Sequence, residues 1–357
     1  MHPRQHGGDL YTFSAEQQTQ LLDFSANVNP LGLPPQVRDA AICAIDDCTH
    51  YPDPYCRALT QALAAHHNLN PNQIICGNGA ADLIYGFALA QKPKRAALLS
   101  PTFSEYSAAL QQTGCQIISI PLTNEQNFAF TEETLDAIRN SIPRIELLML
   151  CNPNNPTGSL IPPALLLQTL DLCTKNGVFL FVDECFLPLT SNFETHSLLS
   201  LCNNHNNLFI LHAFTKQYAM PGLRLGYAIT SNKQLRSALH NHRPPWSVSI
   251  PAQKAGLAAL KCTDYIEQTK VLIEQERIFL TSELQKRGIL VYPSQTNFLL
   301  FYSPLPLAQL LLKHNILIRD CKNFQNLGSG YFRIAVRTHA ENITLLNALD
   351  QIHQEVM

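Results

Sequence analysis

The sequence of 357 residues has almost no net charge: 25 lysines and arginines against 27 aspartates and glutamates leave −2 at neutral pH. No basic field is therefore available to draw a polyanion, and the absence of any block of like charges excludes a nucleic-acid or membrane tail. Long apolar runs are missing as well. Nothing approaches the roughly 20 uninterrupted apolar residues of a membrane span, and the opening MHPRQHGGDL has no apolar signal core. A cytoplasmic location is expected. Cysteine is plentiful at 11 residues, but no two form a C-x-x-C pair, which excludes the usual zinc and dithiol arrangements. Reduced, mostly buried thiols and no bound metal are expected. There is no internal repeat and no low-complexity tract. What is there is 46% apolar and 15% charged residues, the balance of a folded globular chain; with no charged field to draw a polymer, a small-molecule partner is expected.

From about residue 73 to 230, short β-type runs (AALLS, QIISIPL, IELLML, GVFLFVD, NLFILHAF, RLGYAIT) alternate with helical ones. That alternation predicts an α/β fold of three layers, a mainly parallel sheet with helices on both faces. Near-continuous apolar strands such as Val178 to Val182 fit a sheet covered on both sides. An extended Pro- and Asn-rich segment, DFSANVNPLGLPP, precedes this block. After Pro244-Pro245-Trp246 the pattern changes to long helices and then the strands ILVYP, NFLLFY and YFRIAVR, a smaller α/β domain. The expected division is an N-terminal arm over 1–35 that joins the small domain, a large domain over 36–245 and the small domain over 246–357.

Four segments hold candidate chemistry. Gly77-Asn78-Gly79-Ala80-Ala81-Asp82 opens a helix where small residues let backbone N–H groups approach a phosphate. It lacks the third glycine and the preceding strand of a dinucleotide site. Asn152-Pro153-Asn154-Asn155-Pro156-Thr157-Gly158 is a stiff loop whose amide can donate to a phenolate. Asp183-Glu184 ends an apolar strand, where a carboxylate needs a partner such as a cationic ring nitrogen. Thr215-Lys216, with Arg224 eight residues on, joins an amine nucleophile to two phosphate ligands. Taken singly, each is equally an ordinary turn, a plain loop, a surface acid or a solvated lysine. Together and in this order they match the needs of one cofactor, pyridoxal 5′-phosphate (PLP).

Along nearly its whole length the chain resembles the fold-type I, aspartate-aminotransferase-like PLP enzymes, through NPNNPTG, VDE and TK-x7-R. The resemblance implies that Lys216 holds PLP as a Schiff base, that Asp183 pairs with the pyridine nitrogen and that Asn155 hydrogen-bonds O3′. Gly79, Ala80, Thr215 and Arg224 would hold the cofactor phosphate, and Phe103 would stack on the ring. Tyr51 would reach the phosphate of a neighbouring subunit, so a homodimer with a shared active site is implied. Arg333 matches the arginine that binds the substrate α-carboxylate. Within this group His6-Gly7-Gly8, DFSANVNPLGLP and RDCKNFQNLGSGYFRIAVR resemble the branch that decarboxylates L-threonine O-3-phosphate to (R)-1-amino-2-propanol O-2-phosphate for cobalamin assembly. Arg319 would then bind the substrate phosphate, with His6 and Asn29 lining the same pocket. Transamination of histidinol phosphate is the alternative. Phe186 departs from the broad aminotransferase pattern, which has a tyrosine there, and Ala213 stands where a hydroxyl is common.

Overall fold

Seven strands assemble into one sheet, most of them buried and apolar on both faces. The structure, a computed structural model, describes residues 6–356. Its strands are β1 (Leu22–Asp23), β2 (Ile74–Gly77), β3 (Arg95–Ser100), β4 (Gln116–Pro121), β5 (Leu147–Cys151), β6 (Phe179–Asp183), β7 (Leu208–Ala213), β8 (Gly226–Ile229), β9 (Leu290–Val291), β10 (Phe298–Tyr302), β11 (Ile316–Leu317), β12 (Arg319–Asp320) and β13 (Tyr331–Ala335). The large sheet has the order β2-β8-β7-β6-β5-β3-β4. Only β8 runs against its neighbours β2 and β7; the β7-β6-β5-β3-β4 pairs are parallel.

Side chains alternate across a strand, and here both faces are buried. Leu148, Leu150, Leu180, Val182 and Ile210 enter one core, whereas Leu147, Met149, Phe181, Phe209 and Leu211 enter the other. Each such side chain contributes roughly 1.5–3 kcal/mol when fully buried. Helices Pro163–Lys175 and Gly79–Gln91 contribute to opposite cores, which makes the three layers of an α/β/α sandwich. The strand β2 directly precedes helix Gly79–Gln91, so the strand that the sequence reading missed ahead of Gly79 is present. Its four residues, IICG, gain their partner from β8, about 150 positions away.

A second, antiparallel sheet with the order β12-β13-β10-β9 packs on a separate core that includes Leu280, Phe301, Phe332 and Leu349. Phe24 of the N-terminal segment belongs to this core, and β1 pairs with β11. Helix Ile250–Ala259 packs on helices Pro35–Cys43 and Arg57–His67, and the 24-residue helix Thr263–Lys286 leads on to the second sheet. None of the 11 cysteines is paired and eight of them are buried. Among the described residues no helix is long and apolar enough to cross a membrane.

Candidate active site

The C-terminal ends of the parallel strands meet at one edge of the large sheet. Because β8 is antiparallel its first residue lies there too, with Gly226 opposite both Gly77 and Ala213. Loops at such an edge project side chains into a common crevice. A cavity of about 230 Å³ opens there and brings together His6, Ala80, Phe103, Asn155, Asp183, Thr215, Lys216, Arg224, Arg319 and Arg333. Phe186 and Ala213 line it as well.

On the floor, Asp183 ends β6. Its Oδ2 accepts from the buried Tyr106 hydroxyl at 2.7 Å and its Oδ1 from the Cys185 N–H at 2.9 Å. Burial pushes the carboxyl up, against the pull of these donors, so the site favours a cation beside it. Lys216 lies one turn beyond β7. Burial, with Arg333 and then Arg224 adding to it, pushes the ammonium down to about 8. Its Nζ is 5.8 Å from the centroid of the Phe186 ring. At one end the helix Gly79–Gln91 presents a first turn with no side-chain cap, where N–H groups and the helix dipole favour an anion. Gly79 itself does not line the cavity, but a Cβ there would lie 2.5 Å from Arg224 Nη2, and its φ of +78° suits glycine alone.

The opposite wall comes from the small sheet and the N-terminal segment. Arg333 is buried, donates to Asn155 Oδ1 and, at 3.0 Å, to the Ser25 carbonyl, and its Nε has no partner among the described residues. Burial pushes it down to about 10. Arg319, also buried, donates to Asn323 Oδ1 at 2.6 Å. His6 Nε2 is 3.0 Å from Glu105 Oε1 at the rim.

Two expected residues stand apart. Asn29 does not line the cavity: its amide donates to the Gln217 carbonyl and to Thr269 Oγ1, each at 2.8 Å. The asparagine of that segment that lines the cavity is Asn27, buried and with an Oδ1 that has no partner among the described residues. Tyr51 is 79% exposed and stacks on Trp246 with centroids 4.7 Å apart, away from this chain's own cavity. Sequence reasoning also passed over Tyr106, three residues after Phe103, whose ring it meets edge-on with centroids 5.6 Å apart.

Residues 19–349 match the family model for aminotransferase class I and II. The chain belongs to the class I and II aminotransferase family. This aminotransferase-family chain is 38% identical to the threonine-phosphate decarboxylase of Salmonella typhimurium strain LT2, over 97% of its own length and 96% of that protein's. An adenosylcobalamin biosynthesis bifunctional protein of Leptospira interrogans is 31% identical over 99% of the chain, which spans 41% of that longer protein. The crystal structure of the histidinol-phosphate aminotransferase from Clostridium acetobutylicum is 30% identical and superposes with a TM-score of 0.87, over 94% of this chain and 100% of that one.

Proposed function

We propose that this family member uses PLP to decarboxylate L-threonine O-3-phosphate, giving (R)-1-amino-2-propanol O-2-phosphate for cobalamin assembly. One observation carries the reading. Arg319 and Arg333 are directly opposite each other on the antiparallel strands β12 and β13, both buried and both lining the cavity. Like charges directly across a sheet destabilise it, so the pair calls for a ligand with two anionic groups. An amino acid with a phosphorylated side chain has them in its α-carboxylate and its phosphate. The decarboxylase at 38% identity supports the same reading.

The residues present fit PLP. Asp183, whose carboxyl is raised by burial, suits the ring nitrogen; Asn155 and Phe103 suit the ring hydroxyl and face; the uncapped helix start with Thr215 and Arg224 suits the phosphate. When bound, PLP supplies an electron sink for a bond broken at the α-carbon. Lys216 provides the amine for its aldehyde and afterwards holds a proton for Cα, at an ammonium pushed down to about 8. Arg333 grips the carboxylate by its fork, while Arg319, His6 and Asn27 take the phosphate, and these grips orient the bond to be broken. Phe186 offers no hydroxyl to the ring oxygen beside Lys216, in keeping with the decarboxylase branch.

The reading includes a homodimer. Tyr51, Tyr55 and Trp246 are exposed, a patch suited to cover by a second copy that receives Tyr51 near its own cofactor phosphate. Incubation with L-threonine phosphate is the test. Release of CO2 with the amino group retained is expected, whereas amino transfer to 2-oxoglutarate overturns the assignment.

A further inference from the structure

At the rim of the cavity, a carboxylate that no binding role uses is held from two sides. Glu105 lies on helix Ser104–Gln111, just after Phe103. Its Oε1 is 3.0 Å from His6 Nε2, and its Oε2 accepts from the Tyr85 hydroxyl at 2.8 Å. Tyr85 stands on helix Gly79–Gln91, so two helices of the large-sheet layer fix the carboxylate in place. Burial, and next the Glu105 carboxylate, push the Tyr85 phenol up to about 12, so it remains a donor.

The arm that contains His6 is seated on one residue. The Gly8 N–H donates to Ser25 Oγ at 2.7 Å, and a Cβ on Gly7 would come 2.0 Å from the Ser25 carbonyl oxygen, so the two backbones touch. The same Ser25 carbonyl accepts from Arg333 Nη2 at 3.0 Å, and Ser25 Oγ donates to Asp23 Oδ1 at 2.6 Å. His6, Gly7, Ser25 and Asn27 all line the cavity. The arm is thus fastened at two points, to the small-domain side through Ser25 and to the large-sheet side through Glu105. Only the second fastening involves the imidazole.

We infer that Glu105 is a positioning residue that orients the His6 imidazole and holds the N-terminal arm down on Ser25, completing the phosphate end of the cavity. In the imidazolium form, which carries two N–H groups, Nε2 donates to Glu105 and Nδ1 is the donor left for an anionic ligand. The inference rests on the reading that the cavity takes a phosphorylated amino acid, because only then does the arm touch the substrate. A half-exposed pair of this kind contributes modestly, because solvent screens it.

The test compares the holoenzyme with Glu105→Ala, Glu105→Gln and Gly7→Ala. Hydrogen–deuterium exchange of the amides of residues 7–10 is expected to quicken in Glu105→Ala and Gly7→Ala. In both, KM for L-threonine phosphate is expected to rise roughly three- to tenfold with kcat within about twofold, and inhibition by inorganic phosphate to weaken by the same factor. Glu105→Gln, which keeps an acceptor for the imidazole, is expected to restore part of both effects. Tyr85→Phe serves as the second variant should Glu105→Ala prove unstable, with a smaller shift in the same direction. Unchanged exchange in Glu105→Ala, or faster exchange with KM and phosphate inhibition unmoved, overturns the inference. Absence of turnover of L-threonine phosphate by the unaltered enzyme would count against the proposed reaction instead, while exchange and inorganic phosphate still test the latch.

Discussion

The two walls of the cavity are built differently. The wall proposed to hold the cofactor comes from strand ends of one parallel sheet: Asp183 closes β6, Asn155 follows β5, and Thr215 and Lys216 follow β7. Each is set by a strand buried on both faces, so its position hardly depends on the rest of the molecule. The opposite wall is assembled from pieces far apart in the chain, with His6 and Asn27 from the N-terminal arm meeting Arg319 and Arg333 of the small sheet. On the proposed reading, chemistry common to the family would reside in the rigid half and the choice of substrate in the composite half.

Substitutions on the two walls should therefore fail in different ways. The largest effect is expected from Lys216→Ala, which lowers turnover by about 10³-fold or more and abolishes the visible absorbance of the lysine-bound cofactor. Near-normal turnover in this variant would dissolve the distinction. Arg333→Ala comes next, with about 10²- to 10³-fold lost in kcat/KM because the buried charge proposed to hold the carboxylate disappears. Arg319→Ala should cost about 10- to 100-fold, felt mainly in KM for the phosphorylated substrate, and cofactor absorbance should survive in both arginine variants.

A third expectation concerns pH. The neutral amine of Lys216 is the form that attacks an aldehyde, and its ammonium is pushed down to about 8. The rate of reconstitution of apoenzyme with PLP should rise about tenfold per unit below that value and level off above it. A rate still climbing steeply beyond about pH 9.5 would mean that the lysine is not desolvated as described. The smallest effects separate two asparagines. Asn27→Ala should raise KM by roughly three- to tenfold at unchanged melting temperature. Asn29→Ala should leave KM nearly alone but cost about 2 kcal/mol of stability, since it removes the donor to the Gln217 carbonyl and to Thr269 Oγ1, which keeps its own bond to the Tyr265 carbonyl. The reverse pattern would restore Asn29 as the cavity residue.

These contrasts also explain what could be read in advance. Asp183, Asn155 and Lys216 sit in short motifs at the ends of apolar runs, where neighbourhood in the chain is neighbourhood in space, so their grouping was legible. So were most strands of the large sheet, whose apolar runs are continuous. Asn27 and Asn29 lie two apart in an extended segment, and nothing local says which faces the cavity. That depends on β1 joining β11 and on Asn29 meeting Thr269 of a distant helix. The seating of Gly7 and Gly8 on Ser25 is equally nonlocal. The four residues of β2 become a strand only through β8. Tyr106 left a faint local signal, its spacing from Phe103, and its bond to Asp183 spans 77 positions.

The register that sets Arg319 against Arg333 has one more consequence. Directly opposed residues of an antiparallel ladder have Cα atoms about 4.5–5.5 Å apart, a separation that backbone hydrogen bonding fixes. On the proposed reading the two arginine side chains start from a fixed origin, and what they would gauge is the span between two negative groups of a ligand rather than the shape of what joins them. Such a device discriminates by length. It should tolerate loss of the threonine methyl in L-serine phosphate far better than insertion of one more methylene between the carboxylate and the phosphate.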